Sequence, residues 1–252
     1  MILNENERLD EVNDALKLIQ KTDGLTFGTD ALLLAAYIRE KGAVGCELGG
    51  GSGIISMLLL SRGKLSECDC VEVQEEFAEL IRRNAEINSL NTMNAVLSDV
   101  RSYKPEKTYD TVFTNPPYMK SSTGKANEVG KKNVARHEIF GGISDFCDAG
   151  KRLTRFGGSF YAVYRPDRFT DLISAMRASL LEPKRITFVH ADTSSEPSMI
   201  LVEAKRGGGT GAKITRPLFI YKDTSHKEYS QDMQTILDIG SFPDDFYIRK
   251  RG

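Results

Sequence analysis

The sequence predicts an α/β fold, a mostly parallel sheet with helices on both faces. Three observations predict it. Strand-like and helix-like segments alternate from residue 43 onward. A glycine-rich turn, Gly49-Gly50-Gly51-Ser52-Gly53, joins the first of these strands to the helix that follows. Polar residues stand in order at four successive strand ends: Glu47, Glu72, Asp99 and Asn115. In open α/β sheets the carboxyl edge is where ligands bind.

Taken in order, residues 1–24 are polar and read as an arm. Thr29 or Asp30 is placed to cap a helix over 31–40, whose apolar positions are dense enough for burial. Strands are expected at 43–48, 68–73, 95–98, 109–114, 158–163, 185–190 and 199–204, seven in the core. Helices are expected at 54–61, at 75–88 (where Phe77, Leu80, Ile81 and Ala85 recur at helical spacing), at 138–154 and at 166–180. Pro166 suits a first helical turn. Only 191–198 separates the last two strands, so they are expected to pair antiparallel. A short strand at 216–221 and a helix at 230–239 complete the chain. Three regions follow: 1–40, an arm and helix packed on the core; 41–206, the core; and 207–252, an extension and not a separate domain.

Composition sets outer limits. The 252 residues are 40% hydrophobic and 27% charged, which excludes a disordered or collagen-like chain. Apolar runs fall well short of the ~20 residues of a membrane span, so no membrane partner is expected. Residues 1–20 are acidic throughout and lack the apolar run of a leader peptide. The four cysteines include Cys68 and Cys70, separated by one residue, which is not the spacing of a zinc knuckle or redox pair. A reducing, cytoplasmic compartment and no metal site are expected. The formal net charge is −1, unevenly spread: residues 1–100 carry 9 Lys or Arg against 17 Asp or Glu, and residues 101–252 carry 25 against 18. A basic second half suits a polyanion on one face.

The glycine turn lets backbone approach a ligand at a helix N-terminus. Glu72 follows Gly53 by nineteen residues, at the end of the second strand, where a carboxylate can accept both hydroxyls of a ribose. The pair therefore reads as nucleoside-cofactor binding. The dinucleotide pattern needs a sixth-place glycine, but that place, counted from Gly49, is Ile54. S-adenosylmethionine has no phosphate to cradle and does not need it, which favours that cofactor over a nicotinamide dinucleotide.

Asn115-Pro116-Pro117-Tyr118 is the most specific segment. Two prolines fix φ and donate nothing, so the loop is stiff. Its acceptors are the Asn115 side-chain oxygen and the Pro116 carbonyl, two oxygens suited to the two hydrogens of a planar NH2 group. Tyr118 can stack on a flat base. Residues 119–134 show no periodicity and hold Lys120, Lys125, Lys131 and Lys132 against one glutamate. They are expected to form a phosphate-contacting lid, extended by Arg136 and His137.

These motifs resemble the class I S-adenosylmethionine-dependent methyltransferases that methylate amino groups. Phe27-Gly28-Thr29-Asp30 and Ala135-Arg136-His137-Glu138 are similar to segments of the bacterial tRNA1(Val) adenosine-37 N6-methyltransferase family. The resemblance spans roughly residues 8–206. It implies a Rossmann-like, mostly parallel seven-stranded sheet with one antiparallel strand. It implies a tRNA substrate, catalysis by Asn115, Pro116 and Tyr118, and RNA contacts from the basic residues of 120–137. It also implies cofactor contacts from Glu47, Gly49, Gly51, Gly53, Glu72, Val73, Asp99, Val100 and Asn115, joined by Gly28, Thr29 and Asp30. Glu47 stands where many relatives carry Asp. Three other readings stay open: glutamine N5-methylation of a release factor, guanine N2-methylation of ribosomal RNA, and a non-catalytic RNA-binding protein on the same fold. The sequence fixes no oligomeric state.

Overall fold

A computed structural model of the chain describes residues 3–22, 27–117 and 141–247. The arm at the N-terminus is an antiparallel hairpin, β1 (Glu7–Asn13) and β2 (Leu16–Lys21). The Asn13 side chain closes its turn by accepting from the N–H groups of Ala15 (2.9 Å) and Leu16 (3.0 Å). The arm expected at 1–24 is thus a hairpin over its described residues. The signal was present in Leu16 and Leu18, two apart and both buried.

The central sheet contains β3 (Ala43–Leu48), β4 (Leu65–Glu72), β5 (Met93–Leu97), β6 (Tyr109–Thr114), β7 (Thr154–Tyr164), β8 (Leu181–His190) and β9 (Pro197–Arg206). Their spatial order is β5-β4-β3-β6-β7-β9-β8. Only β9 runs against its neighbours, pairing antiparallel with both β7 and β8. Beyond β8 lie two further strands of two residues each, β10 (Lys213–Ile214) and β11 (Leu218–Phe219), both parallel to it. They replace the single strand expected at 216–221. Pro217, which has no N–H to give the ladder, falls between them.

Helices α1 (Thr29–Tyr37), α2 (Ile54–Ser61) and α3 (Glu75–Ile87) share one buried cluster. Helices α4 (Ile143–Leu153) and α5 (Phe169–Ala178) belong to a second. Strand residues alternate between the two: Val112 and Phe160 join the second, Phe113 and Tyr161 the first. Leu16 and Leu18 of the hairpin lie in the first cluster, as do Met233 and Ile236 of α6 (Gln231–Ile239), so both ends of the chain pack on the core.

Three helices differ from expectation at their ends. Gly28 is the N-cap of α1 without a side-chain cap bond, and Thr29 and Asp30 lie inside the first turn. That helix stops at Tyr37, and the buried Lys64 ammonium closes its end by donating to the carbonyls of Ala35 (2.8 Å), Ala36 (3.1 Å) and Ile38 (2.6 Å). The helix expected at 166–180 is a 3-10 turn, Pro166–Arg168, followed by α5. Helix α4 begins at Ile143, where Asp145 accepts from the Gly142 N–H at 2.8 Å; residues 138–140, expected to lie in it, are outside the described residues. Among the described residues no helix is long and apolar enough to cross a membrane.

The hairpin lies outside the sheet and docks on α3 through two asparagines. Asn84, fully buried, accepts from the Ile19 N–H at 2.7 Å and donates to the Ile19 carbonyl at 3.0 Å. Asn88, one turn on, does the same for Lys17, at 2.8 and 2.7 Å. Arg83 adds an ion pair to Glu7 at 2.8 Å.

Candidate active site

The order of strands reverses between β3 and β6, both parallel and adjacent. A crevice forms at such a switch point, at the carboxyl ends. Thr114 ties the two ends together by donating to the Leu48 carbonyl at 2.8 Å. From β3 the chain enters the glycine turn. Gly49 and Gly50 both donate to the Val71 carbonyl of β4, at 2.9 and 3.1 Å.

Two glycines of the turn have distinct reasons to be glycine. Gly53 caps α2 at φ +79°, and a Cβ there would lie 2.4 Å from the Met93 methyl. Gly51, at φ +55°, has nothing within 4 Å of that position. At both positions φ lies in the left-handed region that favours glycine; at Gly53 a side chain would also press on the Met93 methyl, whereas at Gly51 nothing stands in its way. Gly49 lies under the turn at φ +73°, near the Phe146 ring.

Glu72 ends β4 and is 5% exposed. One of its oxygens accepts from the Gly51 N–H at 3.0 Å, and the other from Val73 (2.9 Å) and Gln74 (3.0 Å). The carboxylate thus braces the turn, with an acceptor direction left on the oxygen that meets Gly51. Val73 (36% exposed) and Leu97 (54%) flank it at the ends of neighbouring strands and offer apolar surface for a flat ring. Leu97 was not singled out in the sequence, although its register opposite Glu72 follows from the parallel pairing.

Asp99 lies at the same edge. Arg101 binds its carboxylate through Nε at 2.9 and 3.0 Å and holds it below the usual carboxylate range. Val100 is buried in the second cluster, and its carbonyl accepts from Arg152 at 2.6 Å.

Glu47, also expected among the cofactor contacts, is held inside the fold. It is 1% exposed and accepts from the Ser56 N–H at 3.2 Å and from the Ser56 hydroxyl. Burial, assisted by the nearby Glu72 charge, pushes its carboxyl up to about 8 despite the Ser56 bonds, so it is largely protonated at neutral pH. Glu47 fastens the end of β3 to α2. Its alternation along β3 hinted at burial, but its neighbour in α2 lies nine residues on.

Asn115 follows β6 and donates from Nδ2 to Asp30 Oδ2 at 2.8 Å. Asp30 Oδ1 in turn accepts from the Ala31 N–H at 2.9 Å. The segment carrying Gly28, Thr29 and Asp30 is thereby brought to the Asn115 loop. Upstream, the Gln20 side chain of the hairpin accepts from the Phe27 N–H at 2.8 Å. Pro116 is buried beside Asn115. Tyr118, Lys120, Lys125, Lys131, Lys132, Arg136 and His137 lie outside the described residues. Asn84 is the residue the sequence reading passed over: besides Ile19, it donates to the Ser52 carbonyl of the glycine turn at 2.9 Å.

The open Gly51 cradle, the remaining acceptor on Glu72, the apolar flanks and the carboxylate of Asp99 fit the nucleoside half of S-adenosylmethionine. With the strand order above, they define a class I S-adenosylmethionine-dependent methyltransferase. Residues 21–138, a little under half of the chain, match the family model of the methyltransferase small domain. It is 26% identical over 180 residues to the tRNA1(Val) (adenine(37)-N6)-methyltransferase of Phocaeicola vulgatus, covering 71% of this chain and 76% of that protein. It is also 26% identical over 200 residues to the protein of that name from Dyadobacter fermentans, covering 77% and 81%. Its fold is shared with the crystal structure of a predicted O-methyltransferase from Agrobacterium tumefaciens, at a TM-score of 0.69 and 21% identity, covering 85% of this chain and 98% of the other.

Proposed function

We propose that this protein transfers a methyl group from S-adenosylmethionine to the exocyclic N6 of adenine in RNA, at adenosine 37 in the anticodon loop of a valine-type tRNA. The observation that carries the reading is the Asn115 amide, held at the sheet's switch point beside the glycine turn. The names of the relatives support the substrate.

The bound cofactor supplies an electrophilic methyl on a sulfonium. Gly51, Glu72, Val73 and Asp99 would hold its nucleoside end. The substrate nitrogen is a weak nucleophile, because its lone pair is delocalised into the ring. Asn115 Oδ1 and the Pro116 carbonyl would accept its two hydrogens and favour a more tetrahedral nitrogen with a localised lone pair. Orientation of this kind supplies ~7–11 kcal/mol in well-aligned systems, and the two carbonyl dipoles favour the positive charge that develops on nitrogen. The base must leave its stack to reach the crevice, and an anticodon loop makes that easier than a duplex.

The test is methyl transfer from labelled S-adenosylmethionine to bulk tRNA, with ribosomal RNA, release factor and DNA in parallel and the modified nucleoside or amino acid identified after digestion. N6-methyladenosine in one tRNA is the expected product. Label in glutamine, or in guanine of ribosomal RNA, would reassign the substrate.

A further inference from the structure

We propose that Asp30 is a positioning residue, one that decides which atom of the Asn115 amide meets the substrate and so makes the site selective for a hydrogen-bond-donating amine. The inference rests on the functional reading above and deepens it.

A carboxamide is nearly symmetric in shape. Turned one way it presents an oxygen acceptor; turned the other way it presents an NH2 donor. Only the first orientation can hold an amine by its hydrogens. The two proline residues after Asn115 stiffen the backbone but leave this choice open. Asp30 removes it. An ionised carboxylate only accepts, and its Oδ2 lies 2.8 Å from Nδ2 of Asn115. The flipped amide would set two acceptors against each other at that separation. Nδ2 therefore faces Asp30, and Oδ1 lies on the opposite side of the amide.

The carboxylate is itself fixed. Its Oδ1 accepts from the Ala31 N–H at 2.9 Å, within the first turn of α1. Gly28 makes room for it: a Cβ at that position would lie 2.6 Å from Asp30 Oδ1. The φ of Gly28 is −118°, open to any residue, so this glycine is needed for space and not for conformation. Gln20, at 4% exposure, anchors the approach through Phe27. The hairpin, the Gly28 gap and the start of α1 thus form one support for a single hydrogen bond.

The experiment compares wild type, Asp30→Ala, Asp30→Asn, Asn115→Ala and the Asp30→Ala/Asn115→Ala double variant. Turnover is measured on tRNA and cofactor affinity by calorimetry. The expected result for Asp30→Ala is a kcat lowered roughly 10- to 100-fold, the weight of one charge-assisted hydrogen bond, with S-adenosylmethionine affinity unchanged. Asp30→Asn, whose own oxygen can accept from Asn115, recovers part of the loss. In the Asn115→Ala background, Asp30→Ala costs nothing more. The proposal is overturned if Asp30→Ala weakens the cofactor as much as it slows turnover, if the two losses multiply independently, or if Asn is no better than Ala. The side-chain amide NMR signals of Asn115 give a readout that needs no substrate. They should shift on Asp30→Ala, and unmoved signals overturn the proposal. Wild type that methylates an amine other than adenine N6 would remove the substrate assignment while leaving the Asp30 comparison to run on that amine.

Discussion

Glu47 and Ser56 are joined twice, through the Ser56 N–H at 3.2 Å and through its hydroxyl, in a site where the carboxyl is 1% exposed. Burial of this carboxyl, against the opposing pull of the Ser56 bonds, makes stability depend on pH in a defined direction. The folded state keeps a proton on Glu47 up to about 8, whereas the unfolded chain releases it near 4.5. The folded state therefore binds more protons across that window. Its stabilisation is complete below the unfolded value and is lost as pH rises through the folded one. Glu47→Gln removes the proton exchange and keeps the shape. The unfolding free energy of wild type from urea melts should fall relative to the Gln variant between pH 5.5 and 8, with a slope of up to about 1.4 kcal/mol per pH unit. A flat difference across that range would show that Glu47 is ionised in the fold.

Asn84 makes three hydrogen bonds, two to Ile19 and one to Ser52. Replacing it with Ala strands buried polar groups, each costing about 1–3 kcal/mol when water cannot reach it. Asn84→Ala should lower the denaturation midpoint and also weaken S-adenosylmethionine, because Ser52 belongs to the cofactor turn. Calorimetry at a temperature where the variant is folded separates the two effects. Undiminished affinity would make Asn84 a purely architectural residue.

The two glycines at 51 and 53 should respond differently to alanine. Gly53→Ala forces a Cβ to within 2.4 Å of the Met93 methyl at φ +79°, and loss of stability should dominate. Gly51→Ala meets nothing within 4 Å, so its cost to the fold is about 1–2 kcal/mol from φ alone. Because this turn is the proposed cofactor cradle, cofactor affinity should fall well beyond that. Thermal melts paired with cofactor titration test this, and the idea fails if Gly51→Ala binds as wild type does.

Arg185 holds the C-terminal part of the chain. Its guanidinium is 3.7 Å from the centre of the Tyr37 ring and 4.4 Å from that of Tyr247, and it pairs with Glu203 at 2.7 Å. Removing one member of a buried ion pair costs about 3–5 kcal/mol. Arg185→Met should lower the melting temperature and expose the segment around Tyr247 to limited proteolysis before the core is cut. Equal protection of that segment in both proteins would argue against the clamp.

The strands at 43–48 and 109–114 and the helix at 54–61 were legible because apolar runs there end in glycine or proline. Asn115 and the glycine turn were legible for the same reason: their chemistry is written in consecutive residues. The hairpin was not, because its strands mix charged and apolar residues and the outer edge of β2 is completed by Asn84 and Asn88, more than sixty positions away. The inward turn of Glu47 was hidden for a related reason. An acid at a strand end looks alike whether it meets a ligand or a buried serine, and only the packing of α2 on β3 decides.

The two asparagines of α3 have one further consequence. A two-stranded ribbon outside the main sheet carries a free row of N–H and C=O groups, a template on which another chain can add a strand and begin to aggregate. On β2 that row is occupied at Lys17 and Ile19 by carboxamides, which imitate a third strand but cannot be extended by one. The helix thus shields the ribbon from strand addition along this edge, a protection against self-association that the chain carries within its own fold.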